Sequence, residues 1–299
     1  MKDIMHSLTY GFSKIVTWDV MKHALLAGIV AIGLWTFIGY TFWNPLILVS
    51  QKILDLLPFS MLRSNGAWML SAFLWFQIVL ISYAVIYALF GNFILEKVKR
   101  DKFSLVSFTI ILISALFWAT VWYFESSFIY GEFLKLLTWL PFKTIEGGMA
   151  FLISFYILYN GIIITLLFIA SILSYPLIKS INGKINKKHI FKSLGYTLKD
   201  TGIFVILSIL LFVLMFIPIV NILVQLFLWT WLTKDTVSHD AMYLAQDTNN
   251  SSDLKDHKVA IYTISTMSVL FNFVPIMNIF GPFFAEISMF EYMRIKQPS

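Results

Sequence analysis

Two proline–asparagine pairs are the residues of this chain best placed to do chemistry, because each pair lies inside apolar sequence. Phe216-Ile217-Pro218-Ile219-Val220-Asn221-Ile222 returns 57 residues later as Phe273-Val274-Pro275-Ile276-Met277-Asn278-Ile279. Proline removes a backbone donor and clashes with the preceding turn, so it breaks a helix. Asparagine brings an amide that lipid cannot satisfy. A helix restarted by such a break points free backbone N–H groups and a partial positive charge into the gap, which suits an anion or a polar solute. Asn221 and Asn278 are thus candidate ligands as well as turn-cappers. Pro218 and Pro275, with Gly281-Pro282 adding a second break after the later pair, are the candidate turn-formers.

The surrounding elements must be membrane helices. Apolar residues make up 59% of the 299-residue chain, charged residues 13%, and the mean hydropathy is +0.81. Six runs lack any Asp, Glu, Lys, Arg or His: 24–51, 64–95, 103–124, 147–178, 201–233 and 259–285. Each exceeds the roughly 20 apolar residues that a spanning helix needs. The run behind the first 23 residues is too long for a signal-peptide core and reads as a retained anchor. There is no cysteine, which excludes disulfides, thiolate metal sites and thiol nucleophiles.

The net charge of +6 invites a nucleic-acid reading, but the placement of the charges argues for topology. Lysines and arginines number 3 in residues 1–23, 2 in 50–65, 4 in 96–102, 2 in 125–146 and 6 in 179–200. That alternation follows the positive-inside rule with a cytoplasmic N-terminus. The expected partner of the basic clusters is the anionic surface of a bilayer, with no nucleic acid.

The first four runs carry an internal echo. A shift of 83 residues lays Lys52–Phe59 over Lys135–Phe142, both ending Leu-Pro-Phe, and Trp35, Tyr40, Ser71 and Gln77 over Trp118, Tyr123, Ser154 and Asn160. Within a single membrane domain of residues 1–299, 24–100 and 103–185 are therefore possible duplicated helix pairs, and 200–294 is a two-hairpin region.

Length arithmetic separates the last two runs from the rest. As one helix, residues 201–233 would be about 50 Å long, against a hydrocarbon core of about 30 Å. Pro218 divides them into Phe204–Ile217 and Ile219–Leu232, each about 21 Å as a helix. Two solutions remain open: a hairpin that enters and leaves by one side, or a kinked spanning helix. Residues 259–285 pose the same choice.

No catalytic constellation is present: the sequence has no Gly-x-Ser-x-Gly elbow, His-Glu-x-x-His or phosphate-binding glycine loop. His239-Asp240 has no second histidine at helical spacing, so neither a metal nor a cofactor is expected.

The stretch from about Ser174 to Arg294 resembles the CysZ and etoposide-induced-2.4 family of integral membrane proteins. The resemblance rests on Tyr175-Pro176-Leu177-Ile178-Lys179-Ser180-Ile181-Asn182, on Phe216–Asn221, and on Ser268–Asn278. It implies two proline-marked hairpins that penetrate the bilayer partway, a bacterial inner-membrane location, homo-oligomers and sulfate uptake. Tyr10-Gly11-Phe12, Trp18 and the pair Lys22-His23 are similar to the family's start. The family places paired arginines there to meet an oxyanion. Lys22 keeps a charge without the planar fork of arginine, and His23 is charged only in part near neutral pH.

The expectation is an all-α polytopic membrane protein with about four transmembrane helices and two re-entrant hairpins. Its leading function is passage of a small oxyanion, with Lys22, His23, Asn221 and Asn278 as ligands. The alternative is a non-transporting membrane organiser that binds lipid or protein.

Overall fold

The computed structural model of the chain describes every residue except 1, 98–99, 184, 186–189, 218–219, 247–253, 255, 275 and 297–299. Pro218 and Pro275 lie outside the described residues. The described chain is helical, with no strand: α1 (Lys2–Ile15), α2 (Trp18–Leu54), α3 (Phe59–Lys97), α4 (Arg100–Trp139), α5 (Phe142–Asn182), α6 (Ile190–Leu210), α7 (Val220–Gln246), α8 (Lys258–Val269) and α9 (Gly281–Ile295). Short 3-10 turns occupy Phe212–Phe216, Leu270–Phe273 and Met277–Ile279. The all-α polytopic class is as expected.

Among the described residues five helices are long and apolar enough to cross a bilayer, where about four were expected: Trp18–Leu54, Ser60–Gly91, Leu105–Trp139, Lys143–Asn182 and Phe191–Leu210. The fifth is α6. The expected short arm Phe204–Ile217 is instead a 21-residue helix that starts at Ile190 and stops at Leu210, about 31 Å long. The helix extends backwards through Lys192, Lys199 and Asp200 because helical backbone is indifferent to charge where the side chains find partners or solvent.

The chain divides into two compact units: residues 1–31, 163–210 and 225–299 form one, and 32–162 and 211–224 the other.

In the second unit a buried cluster joins Leu54, Leu62, Ala67, Leu137, Ile145, Met149, Ala150, Ile153 and Phe216. Full burial of one such side chain contributes about 1.5–3 kcal/mol in soluble proteins, but lipid is as apolar as leucine. Close fit therefore carries the packing: Gly161 lies under Trp35, where a Cβ would come within 2.3 Å of the indole ring. Prolines punctuate the helices. Pro45, inside α2, frees the carbonyl four residues back, and Phe42 leaves helical geometry beside it (φ −110°, ψ 19°). Pro58 and Pro141 precede α3 and α5, and each carbonyl accepts the amides three and four residues on, at 3.0 and 3.2 Å for Pro58 and 3.0 and 3.3 Å for Pro141.

In the first unit α1 lies against α9. Gly11 faces Ser288 so closely that a Cβ would stand 1.9 Å from Ser288 Oγ. Lys296 Nζ donates to Asp3 Oδ2 at 2.6 Å, and Tyr10 Oη to Asn182 Oδ1 at 3.0 Å. Glu291 accepts from Nε and Nη2 of Arg294, each at 2.8 Å, with His6 Nε2 at 3.5 Å.

Candidate functional site

The repeated phrase repeats its conformation up to the proline and then diverges. Before Pro218 a 3-10 turn ends in extended Ile217 (φ −99°, ψ 117°). Before Pro275 a 3-10 turn ends in extended Val274 (φ −110°, ψ 125°). Proline requires this, because its ring drives the preceding residue out of the helical region. Beyond Pro218, α7 begins at Val220, and the Asn221 N–H donates to the Ile217 carbonyl at 3.0 Å. Asn221 occupies the first turn of α7, 8% exposed, and its Oδ1 has no hydrogen-bond partner among the described residues.

Beyond Pro275 the path is longer. Ile276 adopts a left-handed conformation (φ 67°), Met277–Ile279 form a 3-10 turn, and α9 starts at Gly281 with Pro282 in its first turn. A β-branched residue at positive φ is strained. Asn278 consequently sits before the helix and not on it, unlike Asn221. Among the described residues no side chain caps α9, Pro282 has no N–H to offer, and the Phe284 N–H donates to the Phe280 carbonyl at 2.9 Å.

Both hairpins return beside their first arm. Along α6 and α7, Tyr196 stacks on His239 (ring centroids 3.7 Å apart, planes 6° apart), and Thr236 Oγ1 donates to Asp200 Oδ2 at 3.2 Å. Asp240 accepts from Ser171 of α5 at 2.6 Å and from Ser193 of α6. Burial holds the His239 imidazole below its ordinary value, against the opposing pull of Asp235 and Asp240. In the second hairpin Ser268 Oγ donates to the Gly281 carbonyl at 3.0 Å, and Tyr292 Oη lies 3.2 Å from His257 Nδ1. Its arms, 12 and 15 residues, are about 18 and 22 Å long, each short of a 30 Å core.

The N-terminal pair occupies the foot of α2. Lys22 Nζ is ion-paired to Asp19 at 2.7 Å, and His23 Nδ1 donates to the Asp19 carbonyl at 2.6 Å. Gly28, about 9 Å further along α2, meets Ile279, whose Cγ2 would lie 2.9 Å from a Cβ there. The second turn is thus seated against α2 beyond Lys22, next to Asn278.

The burial of four acids in this unit was not part of the sequence reading, although the pairing of Glu291 with Arg294 is legible from their spacing of three. Asp200, Asp240, Glu286 and Glu291 are all fully buried or nearly so, at 0 or 1% exposure. Asp200 immediately precedes the apolar run 201–233, and Asp240 lies in the polar segment that follows it. The legible signal was helical spacing: Ser193, Thr197 and Asp200 on α6 face Thr233, Thr236 and Asp240 on α7, both sets at intervals of three or four. Among the described residues no group of three or more His, Asp or Glu could hold a metal.

A family model described as sulfate transporter CysZ/etoposide-induced protein 2.4 matches residues 98–282, more than half of the chain. No curated protein and no solved structure matches the chain. The matched region opens at α4, well before Ser174, and takes in both broken hairpins up to Pro282. Lys22 and His23 fall outside it. With more than half of its length matched, from α4 through the second Pro-x-x-Asn phrase, the chain belongs to the sulfate transporter CysZ/etoposide-induced protein 2.4 family.

Proposed function

We propose that this protein passes a small inorganic oxyanion, sulfate-like in charge and size, across a membrane. The observation that carries the reading is the start of α7 in the middle of an uncharged apolar run, with Asn221 buried in its first turn and its amide oxygen without a hydrogen-bond partner among the described residues. Turned backbone is tolerated at membrane depth only where protein buries it or water reaches it. There the N–H groups of a helix start serve an anion without a buried cation. Within the first unit, the second turn is seated on α2 near Gly28, and Lys22 at the foot of α2 draws anions from solution. In this reading the protein is a homo-oligomer of a bacterial inner membrane with a cytoplasmic N-terminus, and both hairpins re-enter. Radiolabelled sulfate flux into proteoliposomes is the test. Flux above that of empty vesicles, reduced in Asn221→Leu, supports the proposal, and folded protein with no such flux overturns it.

A second reading, a membrane organiser that moves no solute, is favoured by two observations. Lys22 is already neutralised by Asp19, and four buried acids in the first unit disfavour an anion. Absence of flux would leave this reading standing.

A further inference from the structure

We propose that residues 32–162 are two copies of one helix–proline–helix unit packed about a pseudo-two-fold axis, so that the second copy fills, within this chain, the face one unit would offer to another molecule of its kind. Three observations in the second unit carry it.

The first is the core. The 83-residue shift that aligns the two Leu-Pro-Phe segments also pairs the buried residues: Leu54 with Leu137, Leu62 with Ile145 and Ala67 with Ala150. The half-buried residues around them pair by the same shift, Ile47 with Tyr130, Leu57 with Leu140 and Met69 with Leu152. Sparse matching of apolar letters does not require that equivalent positions meet in one cluster. An isologous contact does, since each copy then presents the same patch to the other.

The second is local geometry. Ser71 Oγ donates to the Ala67 carbonyl and Ser154 Oγ to the Ala150 carbonyl, both at 2.8 Å and both buried. The two prolines cap the helices that follow them in the same manner.

The third is the register between copies. α2 packs on α5 through Trp35 over Gly161, Trp43 against Phe151 (5.3 Å between ring centroids) and Ser50 to Ser154 (3.0 Å). Shifted by 83, the pair Trp35–Gly161 becomes Trp118–Ile78, and Trp118 Nε1 donates to Ser82, one helical turn away, at 2.7 Å. The pair Trp43–Phe151 becomes Ser126–Trp68, and Trp68 meets Trp122, again one turn away, at 5.2 Å. The first helix of each copy therefore lies on the second helix of the other, with the same direction and with registers agreeing to within a turn. That exchange is how two identical hairpins embrace. The partner of this face is a copy of the same unit, supplied in cis.

The cysteine-free background makes the test direct. Ser50→Cys with Ser154→Cys places thiols where the structure shows contact, and the axis maps this pair onto Ser71→Cys with Phe133→Cys. Each double variant of the full chain is oxidised in membranes and run without reductant. The proposal expects both pairs to close within one chain, to extents within about twofold, and Ser71→Cys with Ser107→Cys, on the same two helices but 26 residues off register, to stay open. Closure of the first pair without the second overturns the axis. Closure between chains in place of closure within one overturns the cis assignment. Sulfate flux enters neither readout, so the result is independent of the transport proposal.

Discussion

Ser268 donates a 3.0 Å hydrogen bond to the carbonyl of Gly281, and the Ser268 carbonyl in turn lies 3.1 Å from where a Cβ on Gly281 would stand. The two residues close the second hairpin: one side chain reaches across, and the other position has none. Gly281→Ala presses a methyl on backbone that cannot rotate away, so it is expected to cost about 1–3 kcal/mol. Ser268→Ala removes the bond alone and is expected to cost about 1 kcal/mol. Thermal unfolding in detergent, followed by tryptophan fluorescence, ranks the two.

Ile276 is the one non-glycine residue at positive φ among those described. Its strain is about 1–2 kcal/mol, and Ile276→Gly releases it while losing a side chain that is 38% exposed. The variant is expected to unfold at a higher temperature than the parent. A lower one would show that the isoleucine side chain stabilises the turn by more than its backbone costs.

Asp240 is buried, and both of its oxygens accept serine hydroxyls. Ser171→Ala or Ser193→Ala leaves a buried charge short of a donor and is expected to cost about 1–3 kcal/mol each. In an Asp240→Asn background the same alanine substitutions cost less, because the charge is gone. A double-mutant cycle measures the difference.

His239 has a folded-state pKa lowered by burial from its ordinary 6.5. The unfolded chain therefore binds the proton more readily, and stability falls as the pH drops below about 6.5. Melting temperature is expected to decline from pH 7 to pH 5, and to decline less in His239→Phe, which keeps the stack on Tyr196. A profile that is the same in both proteins would assign the decline to other groups.

Lys192 at the foot of α6 and Lys258 at the foot of α8 are both exposed. The re-entrant reading puts both on the cytoplasmic side. Single cysteines at these positions in oriented vesicles are expected to react with an impermeant maleimide from that side alone. Reaction of one from each side would show that α6 and α7 together cross the membrane an odd number of times.

Some of this protein was legible without coordinates because the governing rules are local. Hydropathy and run length specify membrane helices wherever they occur, and proline specifies a break with an extended residue before it, as Ile217 and Val274 both show. Other features depend on partners far along the chain. Nothing near Asp240 says that Ser171, 69 residues away, will take its charge. Nothing near Asn278 says that Ile276 will turn left-handed and keep it off the helix that Asn221 joins.

By itself the sequence determined an all-helical membrane protein, broken twice at Pro-x-x-Asn, because hydrophobic length and the missing proline donor act on neighbouring residues alone. The tertiary structure alone decided which polar groups are buried, how they are paired and how the two turns differ. Those outcomes depend on which helices pack together, and burial of a charge or an amide has its cost set by the groups that packing brings within reach.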